Sequence, residues 1–157
     1  MITKAREKQI FLMEALWTRF HPSIVKLQEI LASGVIGDIV HLTADFGFQA
    51  EYIPEARWFN PALTGGSLLD IGIYPLFISK FVLGNPLELK ATGVMAPTGV
   101  DMNTSIALKY SSGATASLFS LMNLMSSIFF IISLFFPQLS HHLLNWINWI
   151  HAISSFW

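Results

Sequence analysis

The chain has 157 residues, enough for one domain with a proper core. A formal net charge of −1 gives no electrostatic case for nucleic acid or an anionic membrane surface as partner. The absence of cysteine excludes disulfides, thiol catalysis and cysteine-ligated zinc, and fits a reducing compartment.

Met1 to Lys8 lacks the apolar core of a secretory signal. Thr3 to Gln9 reads instead as the end of a charged surface helix. Ile10 to Ala15 reads as a short strand, apolar on both faces as in a buried parallel sheet. Ser23 is the expected N-cap of a helix through about Ala32, with Ile24, Leu27, Ile30 and Leu31 at helical spacing and Gly34 and Gly37 ending it. Ile39 to Phe48 alternates as a strand, with Phe46 on its more apolar face. Arg57-Trp58 falls in a loop, where a surface cation–π contact is expected over a lid role. Leu68 to Leu83 predicts a helix kinked at Pro75. Leu87 to Met95 and Ser105 to Tyr110 read as strands, and Ser111-Ser112-Gly113 as the turn before a hairpin partner, Ala114 to Phe119.

The composition then changes. Every Lys, Arg, Asp and Glu lies at or before Lys109, and the 48 residues from Tyr110 to Trp157 carry none. An ordinary domain is about a quarter charged, so a boundary is placed near Ser120. Leu118 to Phe136 is long enough for a transmembrane helix, although its serines and Asn123 weaken the case. Trp146, Trp149 and Trp157 could sit at a membrane interface. His141, His142 and His151 have no acidic or cysteine companion, so no metal is expected.

The stretch richest in chemistry is Gly65-Gly66-Ser67-Leu68-Leu69-Asp70-Ile71-Gly72-Ile73-Tyr74-Pro75. On a helix, Asp70 and Tyr74 lie one turn apart on one face, and Gly72 lets another group come close. An acid beside an ionisable hydroxyl suits proton transfer. The same pattern also fits an Asp near a helix N-terminus and a Tyr packed in the core.

Four motifs in register carry a resemblance. Phe11 to Pro22 with its Trp17-Thr18-Arg19-Phe20 run, Ser33 to Ile39, Gly65 to Pro75, and Thr98-Gly99-Val100-Asp101 together resemble the Gfo/Idh/MocA family of NAD(P)-dependent oxidoreductases. The resemblance covers roughly Thr3 to Ser120. It is closest to the branch of dimeric trans-1,2-dihydrobenzene-1,2-diol dehydrogenases that also act as NADP-dependent D-xylose 1-dehydrogenases. It implies an α+β fold: a C-terminal substrate domain, antiparallel sheet plus helices, of a Rossmann-type oxidoreductase. Residues 1–16 would be the last helix and strand of the Rossmann domain, 17–120 a partial substrate domain, and 121–157 an apolar helical tail.

By the same resemblance, Tyr74 is the acid/base on the substrate hydroxyl. Asp70 binds a substrate hydroxyl and helps position that tyrosine. Trp17 and Phe46 line the substrate pocket, and Arg19 lies near cofactor or substrate. Packing alone would equally account for Trp17 and Phe46, and an ion pair for Arg19. The implied cofactor is NADP, the substrates are aldoses such as D-xylose or trans-dihydrodiols, and full-length relatives form homodimers.

A tyrosine phenol ionises near pH 10 and is a poor base without a nearby cation. The family supplies that cation from a Glu-Lys-Pro lysine. Neither Glu-Lys-Pro nor a glycine-rich dinucleotide turn occurs in this sequence. The expectation is therefore a partial chain, truncated at both ends and inactive alone, either a fragment or an aberrant gene product with a tail translated from non-coding sequence. The alternatives are a truncated isoform anchored in a membrane through 118–136 with its N-terminal part cytoplasmic, and a non-catalytic α+β module whose apolar tail packs on a partner. The expected location is cytoplasmic, or membrane-associated if the tail is an anchor.

Overall fold

The computed structural model describes residues 1–123. It divides into two units, Met1–Val35 and the chain from Ile36 onward. The expectations placed on His141, His142, His151 and the tail tryptophans lie outside the described residues.

The first unit holds two helices. Helix α1 (Ile2–Glu7) buries nothing and carries an exposed Lys4–Glu7 pair at 3.1 Å. The strand expected at Ile10 to Ala15 does not form: Phe11 is 83% exposed, and the backbone turns where the Leu16 amide donates to the Glu14 carbonyl. An apolar run becomes a buried strand only beside a partner strand, and every described strand belongs to the other unit. A 3₁₀ turn, Trp17–Phe20, leads to α2 (Pro22–Ser33). The cap of α2 is His21 and not Ser23, because Pro22 fits the first helical position and His21 Nδ1 accepts from the Ser23 amide at 3.4 Å. Gly34, at φ 67°, ends the helix as expected.

The second unit is built on strands β1 (His41–Gly47), β2 (Glu88–Met95), β3 (Asp101–Lys109) and β4 (Thr115–Leu121), in the order β1-β4-β3-β2. The β2–β3 and β3–β4 pairs are antiparallel, the latter closed by a tight turn in which Gly113, at φ 90°, donates to the Tyr110 carbonyl. The β1–β4 pair is parallel, so the sheet is mixed where the resemblance implies an antiparallel one. A parallel neighbour needs a long crossover, and the segment between β1 and β4 supplies it with helix α3 (Ile73–Leu83) and the β2–β3 hairpin.

Helix α3 packs across β1 and β4. Between helix and sheet lie Leu42, Ala44, Ile78, Ile106, Leu108, Ala116 and Leu118. Leu42 and Leu118 are fully buried, each worth about 2 kcal/mol by area. Tyr110 takes its phenol into this core because its oxygen meets the buried Ser79 hydroxyl at 2.5 Å. Strand β2, at the edge, is exposed along its whole length.

A helix beginning at Leu118 is contradicted. Leu118 to Leu121 are the last residues of β4, where Leu118 and Ser120 are buried on the helix-facing side and Ile106 lies opposite Leu118. Alternation of small or polar with apolar residues suits a strand with both ladder partners present. The remainder of 118–136 lies outside the described residues. Among those described, Pro61–Leu83 is apolar and long enough to cross a bilayer by length and composition, as core helices also are.

Asp45 sits on the open face of β1, opposite Phe119. Burial pushes its carboxyl above the usual carboxylate range. The folded state then holds the proton more tightly than the unfolded one. Stability is therefore lost as pH rises from the ordinary carboxylate range through the raised folded value. Asp45→Asn is expected to stabilise the chain at pH 7, with an advantage that shrinks as pH falls through that window. Urea midpoints of both proteins from pH 7 down to 4 would check it, and an advantage that grew on acidification would refute it.

Candidate functional site

The site stretch opens with two glycines that no other residue could replace without movement. A Cβ at Gly65 would stand 2.7 Å from both the Arg57 and the Trp58 carbonyl oxygens. Gly66, at φ 119°, has the Asp101 carboxylate where its Cβ would be. Their amides tie the loop shut: Gly65 donates to the Asn60 carbonyl at 3.0 Å and Gly66 to the Trp58 carbonyl at 2.9 Å. The loop carrying Arg57 and Trp58 is thereby folded back onto the start of the helix.

That start is held from the far side by Asp101. One oxygen, Oδ2, accepts from Ser67 Oγ at 2.7 Å, from the Leu68 amide at 2.7 Å and from Thr104 Oγ1 at 2.9 Å. An acceptor at a helix N-terminus satisfies amides that have no partner in the helix and meets its positive end. Ser67, fully buried, also meets Ser120 Oγ at 3.0 Å.

In place of a kink at Pro75, the irregularity of the helix is a change of winding upstream of that residue. Leu68–Gly72 is a π-helical turn, and α3 continues from Ile73. Pro75 lacks the amide that an α-helix would direct at Ile71, and a wider turn before it accommodates that loss. Gly72 allows close approach as expected, and what approaches is β4: a Cβ there would lie 3.3 Å from Ser120 Oγ.

Asp70 rides on the π-turn and Tyr74 on the first turn of α3. The Asp70 carboxylate is 14% exposed and pairs with Arg57, whose Nη2 reaches its Oδ1 at 2.5 Å. Arg57 also lies over the Trp58 ring, 5.7 Å from its centroid, so the expected cation–π contact forms. Tyr74 meets Phe46 edge-on, with ring centroids 5.3 Å apart. Below them Phe59, Ile71, Ala96, Val100 and Met122 form a small apolar cluster, against which Phe46, Phe48 and Trp58 pack. The second unit thus brings Asp70, Tyr74 and Phe46 together. Trp17 and Arg19 stand exposed on the 3₁₀ turn of the first unit.

Arg57 as the partner of Asp70 escaped the sequence reading. Its only trace there was the Arg57-Trp58 pair, since nothing in spacing links a loop cation to a helix carboxylate. Asp101 was visible as part of a motif, but not as the anchor of the site helix. Chemically, the site combines a carboxylate that accepts hydrogen bonds, a phenol that donates or accepts, a guanidinium that only donates, and an aromatic wall. Among the described residues no group of side chains is placed to hold a metal ion.

Comparison with known proteins identifies the family and the fold. Residues 24–127 match the GFO/IDH/MocA C-terminal domain. Over 119 residues the chain is 42% identical to trans-1,2-dihydrobenzene-1,2-diol dehydrogenase of Mus musculus, covering 74% of this chain and 35% of that protein. The Homo sapiens enzyme of the same name is 39% identical over 112 residues, covering 70% of this chain and 33% of that protein. The chain thus spans about a third of the length of these curated relatives. Among solved structures, an aldose-aldose oxidoreductase from Caulobacter crescentus complexed with glycerol superimposes with TM-score 0.68 at 28% identity, over 78% of this chain and 39% of that one. A 3-ketoreductase from Actinomadura kijaniata, in complex with NADP and TDP-benzene, gives TM-score 0.68 at 30% identity, over 78% of this chain and 38% of that one. On the match across residues 24–127, the chain belongs to the GFO/IDH/MocA family, to its C-terminal domain.

Proposed function

We propose that this chain forms the substrate side of an oxidoreductase site that acts on a CH–OH group of aldoses such as D-xylose or of trans-dihydrodiols. The observation that carries the reading is a carboxylate and a phenol on one site helix, the first braced by Arg57 and the second against Phe46. In this reading Tyr74, as its phenolate, accepts the proton of the reacting hydroxyl as the carbon is oxidised, and as the phenol returns it in the reverse direction. Asp70 accepts a hydrogen bond from a neighbouring hydroxyl and thereby fixes which carbon faces Tyr74. Phe46 gives the sugar or ring a flat apolar wall, and by the family resemblance Trp17 and Arg19 are further substrate-binding residues.

NADP, the proposed cofactor, would accept the hydride. The residues present do not fit it: no glycine-rich phosphate turn occurs in the 157 residues, so its binding is assigned to none of them. We accordingly expect the chain alone to bind substrate weakly and not to turn it over. The homodimer of full-length relatives belongs to the same proposal.

The test is ligand binding by the expressed chain. D-xylose titrations followed by saturation-transfer NMR are expected to weaken about tenfold in Asp70→Asn, which removes a charged acceptor, and about threefold in Tyr74→Phe, which removes a neutral hydroxyl. Nicotinamide fluorescence should show no NADPH binding. Equal D-xylose binding by all three proteins would overturn the reading.

A further inference from the structure

We infer that Arg57 is a specificity residue, and that with Asp70 it reads the hydroxyl next to the reacting one, so that the site selects vicinal diols over simple alcohols. The inference rests on the reading of Asp70 and Tyr74 as substrate-facing groups.

Stability gives little reason for the Arg57–Asp70 pair. The Arg57 side chain is 57% exposed, and an ion pair with one partner so exposed is worth at most about 1 kcal/mol. Yet the loop is folded so that this guanidinium stays at Asp70. Two glycine amides close it, two backbone carbonyls abut Gly65, and the Trp58 ring lies under the cation. The recorded contact runs from Nη2 to Oδ1. A guanidinium has five N–H donors and a carboxylate about four acceptor sites, so each retains capacity for a ligand.

A hydroxyl both donates and accepts. Placed against this pair it donates to the Asp70 carboxylate and accepts from the Arg57 guanidinium, and neither residue alone satisfies both halves. Tyr74, one helical turn from Asp70, takes the reacting hydroxyl on the same reading. Two polar stations about a turn apart on one helix face fit two oxygens on adjacent carbons. An alcohol with hydrocarbon at the second station desolvates a charged pair and returns no hydrogen bond, which disfavours it.

The probes are trans-cyclohexane-1,2-diol and cyclohexanol, titrated into the expressed full chain and followed by saturation-transfer NMR. The wild type is expected to bind the diol about tenfold more tightly than the alcohol. Arg57→Met should bring that ratio close to one, and Arg57→Lys, a point charge without the fork, should restore part of it. Circular dichroism establishes that each variant is folded. If Arg57→Met fails to fold, Arg57→Lys decides: a ratio several-fold below wild type supports the inference and an unchanged ratio overturns it. A ratio unmoved by Arg57→Met, in a protein whose diol binding still weakens on Asp70→Asn, overturns the role of Arg57 alone. Diol binding that is absent, or indifferent to Asp70→Asn and Tyr74→Phe, overturns the underlying site reading and this inference with it.

Discussion

Asp101→Ala is expected to lower the unfolding free energy by about 3 kcal/mol. Three donors converge on one carboxylate oxygen, and two of them, Ser67 and Thr104, are buried and cannot turn to water. Ser67 keeps Ser120 as a second partner, which limits the loss. The Leu68 amide has no such reserve at the head of the helix. Asp101→Asn retains an oxygen acceptor but not the charge that favours a helix N-terminus, and should cost about half as much. Urea unfolding at pH 7, followed by far-UV circular dichroism, measures both. A loss below about 1 kcal/mol for the alanine variant would show that the helix start is held by something else. Because the anchored residues directly precede Asp70, amide exchange across Ser67 to Tyr74 should quicken in the same variant.

Gly65→Ala is the second large effect, expected at about 2–4 kcal/mol. The added methyl would lie 2.7 Å from two backbone oxygens, and one of these, Trp58 O, is already fixed as acceptor for the Gly66 amide. Backbone on both sides cannot swing away as a side chain can. Gly113 offers the contrast: its φ of 90° makes alanine strained there, but nothing lies within 4 Å, so about 1 kcal/mol is expected. Relief of the clash at residue 65 must open the loop that carries Arg57. The variant should therefore lose the Arg57–Asp70 pair together with stability, visible as a changed Arg57 side-chain Nε–Hε resonance. A Gly65→Ala protein with wild-type stability and an unmoved Arg57 signal would refute the account.

The sequence was most legible where periodicity and turn chemistry agree with tertiary demand. The alternation of His41 to Gly47, the Ser111-Ser112-Gly113 turn and the glycine after Ser33 each led to the observed element. It misled where an apolar run had no partner, since Ile10 to Ala15 has strand composition but pairs with no strand among the described residues. It was silent on pairing direction, because a residue pattern on β1 does not say that β4 will run parallel to it.

The site shows the same division. Asp70 and Tyr74 were legible because their relation is local, four residues along one helix. Phe46 came from the resemblance, and its contact with the Tyr74 ring joins two elements that only the fold brings side by side. Arg57 and Asp101 were not legible as partners, since each reaches the site helix across a loop or from another strand. Such contacts depend on where the chain returns in space, which spacing along one segment does not encode.

The π-turn at Leu68–Gly72 makes the winding of the chain matter as much as its letters. Five residues there turn through about the angle that four cover in an α-helix, so tightening the turn to regular winding at unchanged length would rotate the rest of α3 by about 100°. Tyr74 would leave Phe46, while Asp70 could remain beside Arg57. The two polar groups would then face different directions with every residue identity preserved. A change of winding in these five positions is thus more drastic for the site than most substitutions in it.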